Sequence, residues 1–198
     1  MQNIEHDIQR HDKYFITQDF VEDNEKTYLE KIETILRLGI KIIQFRSKNL
    51  SLNQYSEMSK KIFKLCKSYN TIYIINDYKN YENNKYCDGL QLTSKNLMIF
   101  NNLSKINNTL LLGSCHNLKE IDICNKNNFD MITISPVRNT HNKIGIGWEK
   151  FSNLTRHSNS PVFALGGLNY KEDINIAIKN GATGIAASTY FYELWNTW

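Results

Sequence analysis

The chain has 198 residues, 41% of them apolar, and carries 24 Lys and Arg against 20 Asp and Glu, a net charge of +4. That length supports one domain over 1–198 with a real core, and a mild charge without a basic stripe argues against nucleic acid as the partner. No signal peptide and no membrane-spanning run are visible, so the expected home is the cytoplasm.

The first β-rich apolar run is 14–17. Tyr28, Ile32, Ile35 and Leu36 then share one helix face, which Gly39 ends. The run 41–46 is a second strand, followed by cap residues Asn49-Leu50-Ser51 and a helix face of Tyr55, Met58, Ile62 and Leu65. Further strands are expected at 72–76, 89–93, 110–115, 131–135, 162–165 and 183–187. The stretch 78–85 has room for one or two helical turns, and a helix starts near Leu118. Ile174, Ala177 and Ile178 fit a last helix face stopped by Gly181. Strands alternating with helices imply parallel pairing, and eight units of about 25 residues suit a closed (βα)8 barrel. An open doubly wound sheet is the rival, weakened because no G-x-G-x-x-G follows the first strand.

In a barrel, function sits at the C-terminal strand ends. The second strand ends in Gln44, Arg46 and Lys48, whose alternation aims an amide and two cations into one space. That pattern suits a phosphate or diphosphate, and equally a strand running into a solvated basic turn. The third strand ends in Asn76-Asp77, the fourth in Gln91, the fifth in Ser114-Cys115-His116. Ser135-Pro136 with Thr140, Asn142 and Lys143 follows the sixth, Gly166-Gly167 the seventh, and Ala187-Ser188 the eighth. The glycine pair reads as a phosphate cradle or as a plain turn. Asp77 reads as a Mg²⁺ ligand or an Asx turn. His116 reads as a proton shuttle or a structural histidine; the histidines at 6, 11, 141 and 157 read as surface positions. Cys66, Cys87, Cys115 and Cys124 form no CxxC pair and read as free thiols in reducing surroundings, with Cys115 beside His116 open to reactivity.

The motifs QFRSK at 44–48, IIND at 74–77, DGLQL at 88–92, GSCH at 113–116, SPVRNTHNK at 135–143, FALGGL at 163–168 and NGATGIA at 180–186 together resemble the thiamine phosphate synthase and thiazole tautomerase superfamily. The resemblance implies condensation of hydroxymethylpyrimidine diphosphate with thiazole phosphate, giving thiamine phosphate and pyrophosphate. It implies that Arg46 and Lys48 hold the diphosphate, that Gln44 and Asn76 help seat the pyrimidine, and that Ser114 and Lys143 contact the pyrimidine diphosphate. Thr140, Asn142, Gly166, Ala187 and Ser188 would line the thiazole-phosphate pocket, beside Gly167, and Asp77 would bind Mg²⁺. A homo-oligomer is compatible with it.

The chain also departs from that pattern. Gln91 stands where the synthase usually has histidine, Asn142 replaces a threonine, and no second carboxylate follows: 93–96 reads Thr-Ser-Lys-Asn, which should weaken Mg²⁺ binding. Lys95 could bring a cation to the metal's place, and Asn96 a neutral oxygen. The combination LTS-x-x-LM, SCHN, W-E-x-F and ALGGL is more similar to the tautomerase-like domain fused behind some Nudix hydrolases. No Nudix signature is visible here, so the isolated domain is expected, with a functional link to such a hydrolase. That similarity implies a metal-independent thiazole tautomerase using His116, or a non-catalytic binder of thiamine phosphates, as alternatives.

Overall fold

The computed structural model describes residues 10–21, 24–82, 84, 86–99 and 109–194; the readings at His6 and Lys85 lie outside them. Eight parallel strands pair in chain order: β1 (Lys13–Ile16), β2 (Ile42–Phe45), β3 (Ile72–Asn76), β4 (Gly89–Leu92), β5 (Leu110–Cys115), β6 (Met131–Ile134), β7 (Val162–Leu165) and β8 (Gly184–Ala187). The last returns to the first, with Tyr14 opposite Ile42 on one side and Ala186 on the other. The sheet is therefore a closed (βα)8 barrel, and the open-sheet rival falls because no edge remains. Among the described residues the helices are α1 (Glu25–Arg37), α2 (Leu52–Ser68), α3 (Tyr78–Glu82), α4 (Ser94–Met98), α5 (Leu118–Lys126), α6 (Gly147–Thr155), α7 (Tyr170–Lys179) and α8 (Thr189–Glu193).

The strands read as unbroken apolar runs because both faces are buried. Phe15, Ile43, Phe45, Tyr73, Ile75 and Leu90 pack outward under the helices. Tyr14, Ile42, Ile74, Leu112, Met131 and Phe163 fill the barrel. One step further along, the same inward parity delivers polar residues: Gln44 after Ile42, Asn76 after Ile74, Ser114 after Leu112, Thr133 after Met131. The polar layer is thus the top of the apolar one.

Ser51 caps α2 in a reciprocal box with Gln54, so the expected cap is Ser51 itself. The face of α2 holds Tyr55, Met58 and Ile62, with Cys66 buried in place of Leu65, since Cys66 lies one turn above Ile62. On α7 the expected face holds at Ala177, which is buried, and at Ile174, which is half-buried against the core, but not at Ile178, which is 53% exposed; the remaining inner position belongs to Asp173, which has no exposure at all. Asp173 pairs with Arg138 and accepts from the Asn169 backbone N–H, which removes the cost of burying it. Of the other histidines, His141 and His157 are exposed as expected, whereas His11 is half-buried.

Candidate active site

A cavity of about 770 Å³ opens at the C-terminal ends of the strands. From β2 and its loop come Gln44, Arg46 and Lys48. Two hydrogen bonds to the loop after β1 hold this arm: the Arg46 N–H donates to Thr17 Oγ1 (3.0 Å), and the Lys48 N–H to Asp19 Oδ1 (2.9 Å). Thr17 and Asp19 also line the cavity and were not anticipated. Contacts between neighbouring loops carry no periodic signal in a sequence.

Asn76 and Asp77 enter from β3. Asp77 has φ +73, in the left-handed region where a non-glycine residue is strained. Its N–H donates to the Gln91 carbonyl (3.0 Å), and its Oδ1 accepts from the Lys79 N–H (3.3 Å). Both the turn role and the placement of a carboxylate at the cavity are therefore realised in one residue. Lys95 lines the cavity from the end of the neighbouring β4, with Thr93 and Ser94. Asn96 does not reach it: Asn96 Oδ1 accepts from the Thr93 and Tyr78 N–H groups, closing the capping box of α4. That corrects its reading as a metal-facing oxygen. Among the described residues no three His, Cys, Asp or Glu side chains converge as a metal cluster.

Ser114 and His116 come from the end of β5. His116 Nδ1 lies 2.6 Å from the Ser135 carbonyl oxygen. A carbonyl only accepts, so Nδ1 carries the proton and Nε2 holds the lone pair in the neutral ring. The His116 backbone N–H donates to Glu120, a carboxylate only 3% exposed that also takes the Ser94 hydroxyl. Cys115, between these two site residues, points the other way: it is fully buried against Cys124, Sγ to Sγ 3.7 Å. Its thiol is pushed up by that contact and by burial, and Cys87 is pushed up to about 12 mainly by burial, so neither is an activated nucleophile.

The loop after β6 supplies Thr140 and Lys143, joined in a tight turn by the Thr140 N–H to the Lys143 carbonyl (2.9 Å). Asn142 sits exposed at the tip of this turn and lines neither cavity described. A second cavity of about 490 Å³ adjoins the first, lined by Gly166, Gly167, Ala187 and Ser188, with Asn169 and Tyr190 at its side. Thr140, Leu165, Gly166, Ser188 and Thr189 border both. The glycine pair has a packing reason as well. A Cβ on Gly166 (φ +102) would lie 2.6 Å from Pro136 Cβ, and one on Gly167 (φ +67) 2.5 Å from the Asn139 carbonyl oxygen. The loops after β6 and β7 are thus pressed together, with the Arg138 N–H donating to the Gly166 carbonyl (3.0 Å).

Beneath the cavity lies a buried polar layer that single residues did not reveal. Gln91 is its hub: its amide oxygen accepts from Tyr14 Oη (2.7 Å) and Gln44 Nε2 (2.7 Å), and its Nε2 donates to Ser114 Oγ and Thr133 Oγ1 (both 2.9 Å). Gln91 stands where the resemblance leads one to expect histidine.

A sequence profile described as thiamine monophosphate synthase matches residues 13–191. The chain belongs to that family. Within the thiamine monophosphate synthase family, it is 30% identical over 172 residues to a putative thiamine-phosphate synthase 2 of Aquifex aeolicus, covering 85% of this chain and 91% of that one. It is 33% identical over 183 residues to a thiamine-phosphate synthase of Prochlorococcus marinus subsp. pastoris, covering 90% of this chain and 50% of that protein. The chain therefore spans about half the length of this longer relative. A solved structure of thiamine phosphate pyrophosphorylase from Pyrococcus furiosus shares the fold, with a TM-score of 0.77 at 24% identity over 94% of this chain and 88% of that one. Among the described residues no helix is long and apolar enough to cross a membrane.

Proposed function

We propose that this chain joins hydroxymethylpyrimidine diphosphate to thiazole phosphate, releasing pyrophosphate and forming thiamine phosphate. One observation carries the reading: two adjoining cavities, one ringed by cations and amides and one by a glycine pair, share a border at Thr140, Gly166 and Ser188. A bond-forming transfer between two phosphorylated ligands needs two such chambers meeting at the reacting atoms.

In this reading Arg46, Lys48 and Lys143 hold the diphosphate and stabilise the charge that grows on it as the bridging C–O bond breaks. Gln44, Asn76 and Ser114 seat the pyrimidine. Thr140, Gly166, Gly167, Ala187 and Ser188 receive the thiazole phosphate, and Asn142, which lines neither cavity, takes no part. The thiazole nitrogen then attacks the exposed methylene carbon. Asp77 would hold Mg²⁺, which when bound supplies further charge neutralisation on the leaving group. The donor set suits an ion that arrives on the substrate's diphosphate, since Mg²⁺ takes one or two carboxylates and substrate phosphate oxygens. Lys95, which lines the same cavity, would take up part of that task.

The test is to incubate the purified protein with both substrates, with and without Mg²⁺. Thiamine phosphate should appear with the metal; a folded sample that yields none beside an active control rejects the reading. A second reading rests on His116, whose Nδ1 bond to Ser135 leaves Nε2 as a base. It makes the protein a metal-independent thiazole tautomerase, nearest the domain fused to Nudix hydrolases and linked to such a hydrolase in function. Proton exchange on the thiazole ligand in EDTA, lost in His116→Ala, would favour it; full exchange in that variant would reject His116 as the shuttle. Ligand binding without turnover would leave a non-catalytic binder. On each reading we take 1–198 as one domain working in the cytoplasm.

A further inference from the structure

The buried layer under the first cavity has a direction. It starts at the Gly113 carbonyl oxygen, which can only accept. The Thr133 hydroxyl donates to it (3.5 Å), which leaves Thr133 Oγ1 to accept from Gln91 Nε2 (2.9 Å). The Gln91 amide is thereby oriented, with its oxygen turned toward β1 and β2. That oxygen takes the Tyr14 hydroxyl proton and one proton of Gln44 Nε2. Tyr14 Oη lies 2.5 Å from the same Gln44 nitrogen and 2.7 Å from the Gln91 oxygen, so the two oxygens share one inward side of that NH2 group. The amide nitrogen of Gln44 is therefore held on the barrel side, and its oxygen is turned away from that cluster. Gln44 Oε1 has no protein partner among the described residues. None of their buried side-chain polar atoms lacks a partner, so this oxygen is one that solvent reaches through the cavity Gln44 lines. Ser114 behaves in the complementary way. It accepts from Gln91, which leaves its own hydroxyl proton for the cavity.

We propose that Gln91 and Thr133 are positioning residues that fix the hydrogen-bond polarity of the cavity floor, so that Gln44 presents an acceptor and Ser114 a donor to the ligand. Such a floor selects a flat ring with an exocyclic N–H beside a ring nitrogen, as in an aminopyrimidine. It rejects the matching oxo ring, which would set oxygen against oxygen. A buried acceptor left facing an acceptor loses its hydrogen bond and bears the desolvation as well. The proposal rests on the pyrimidine reading above and adds what in this chain enforces it. Neither Gln91 nor Thr133 needs to touch the reacting atoms.

The experiment measures binding of the aminopyrimidine diphosphate and of its oxo analogue by calorimetry. The wild type should favour the amino ligand on the order of 100-fold. Thr133→Val and Gln91→Leu should reduce that ratio to less than about tenfold, because the Gln44 amide becomes free to turn over. Affinity for pyrophosphate alone should not move. Thr133→Ser, which keeps the hydroxyl, should restore the ratio. Equal weakening of both ligands in the variants would overturn the proposal, since a merely structural role lowers both alike. A ligand-free arm separates it from the substrate reading. In the wild type, the inward Gln44 side-chain amide proton should exchange slowly with water by NMR, and quickly in Thr133→Val and Gln91→Leu. Fast exchange in the wild type overturns the proposal whatever binds. Slow exchange there, fast exchange in both variants, and no affinity for either pyrimidine would uphold the relay and reject the substrate.

Discussion

Replacing Arg138 with alanine tests the latch between the loop after β6 and helix α7, which follows β7. Asp173 has zero exposure and two partners, the Arg138 guanidinium and the Asn169 N–H. Removing one member of a buried pair costs ~3–5 kcal/mol. Arg138 keeps 47% side-chain exposure, so water already screens part of the interaction, and the cost falls to about 1–3 kcal/mol. A chain of this size loses about 2–4 °C of Tm per kcal/mol. Arg138→Ala should therefore melt roughly 2–12 °C lower in a thermal scan followed by circular dichroism. The same latch steadies the Arg138 N–H to Gly166 carbonyl bond at the border of the two cavities. KM for the thiazole phosphate should accordingly rise severalfold, with less change in KM for the pyrimidine diphosphate. Asp173→Asn in the Arg138→Ala background should recover part of the stability, because the stranded charge is gone. An unchanged Tm, or equal rises in both KM values, would refute the reasoning.

Asp77→Asn keeps the Asx turn to Lys79 and a side chain tolerated at positive φ, so its Tm should stay within about 2 °C while the rate of thiamine phosphate formation falls at least tenfold; a matched loss of stability would make Asp77 structural. Gly166→Ala places a methyl 2.6 Å from Pro136 Cβ at φ +102 and should cost at least about 2 kcal/mol in urea unfolding. A neutral result would mean that the loops are not pressed together in solution. Burial pushes the phenols of Tyr14, Tyr55 and Tyr73 well above their ordinary value. Below about pH 10 both folded and unfolded chains keep these protons, and the stability is fully present. Above it the unfolded chain releases them and the folded chain does not, so stability should drop steeply as pH rises further. Tyrosinate absorbance should then appear together with the loss of ellipticity, and earlier ionisation in a folded chain would contradict the burial.

The barrel was legible because eight runs with buried faces alternate with helix faces, and the site because Gln44, Asn76 and Ser114 continue the inward parity of Ile42, Ile74 and Leu112. Arg46 and Lys48 follow the same parity beyond the strand end, whereas Asp77, one residue after inward Asn76, breaks it and lines the cavity at a left-handed turn. What stayed hidden depends on partners distant along the chain. Asp173 reads as a surface residue until Arg138, 35 positions earlier, arrives beside it. Asn96 looks free until the Thr93 and Tyr78 amides claim its oxygen. Gln91 looks like a lost histidine until four side chains surround it. Periodicity locates a residue's face; it does not say what stands across from it.

The common border at Thr140, Gly166 and Ser188 has a consequence for inhibitor design. A tethered molecule carrying an anionic head for each chamber would engage the second one at an effective concentration in the millimolar range once the first is filled. Because the two chambers adjoin directly, a short rigid spacer should outperform a long flexible one.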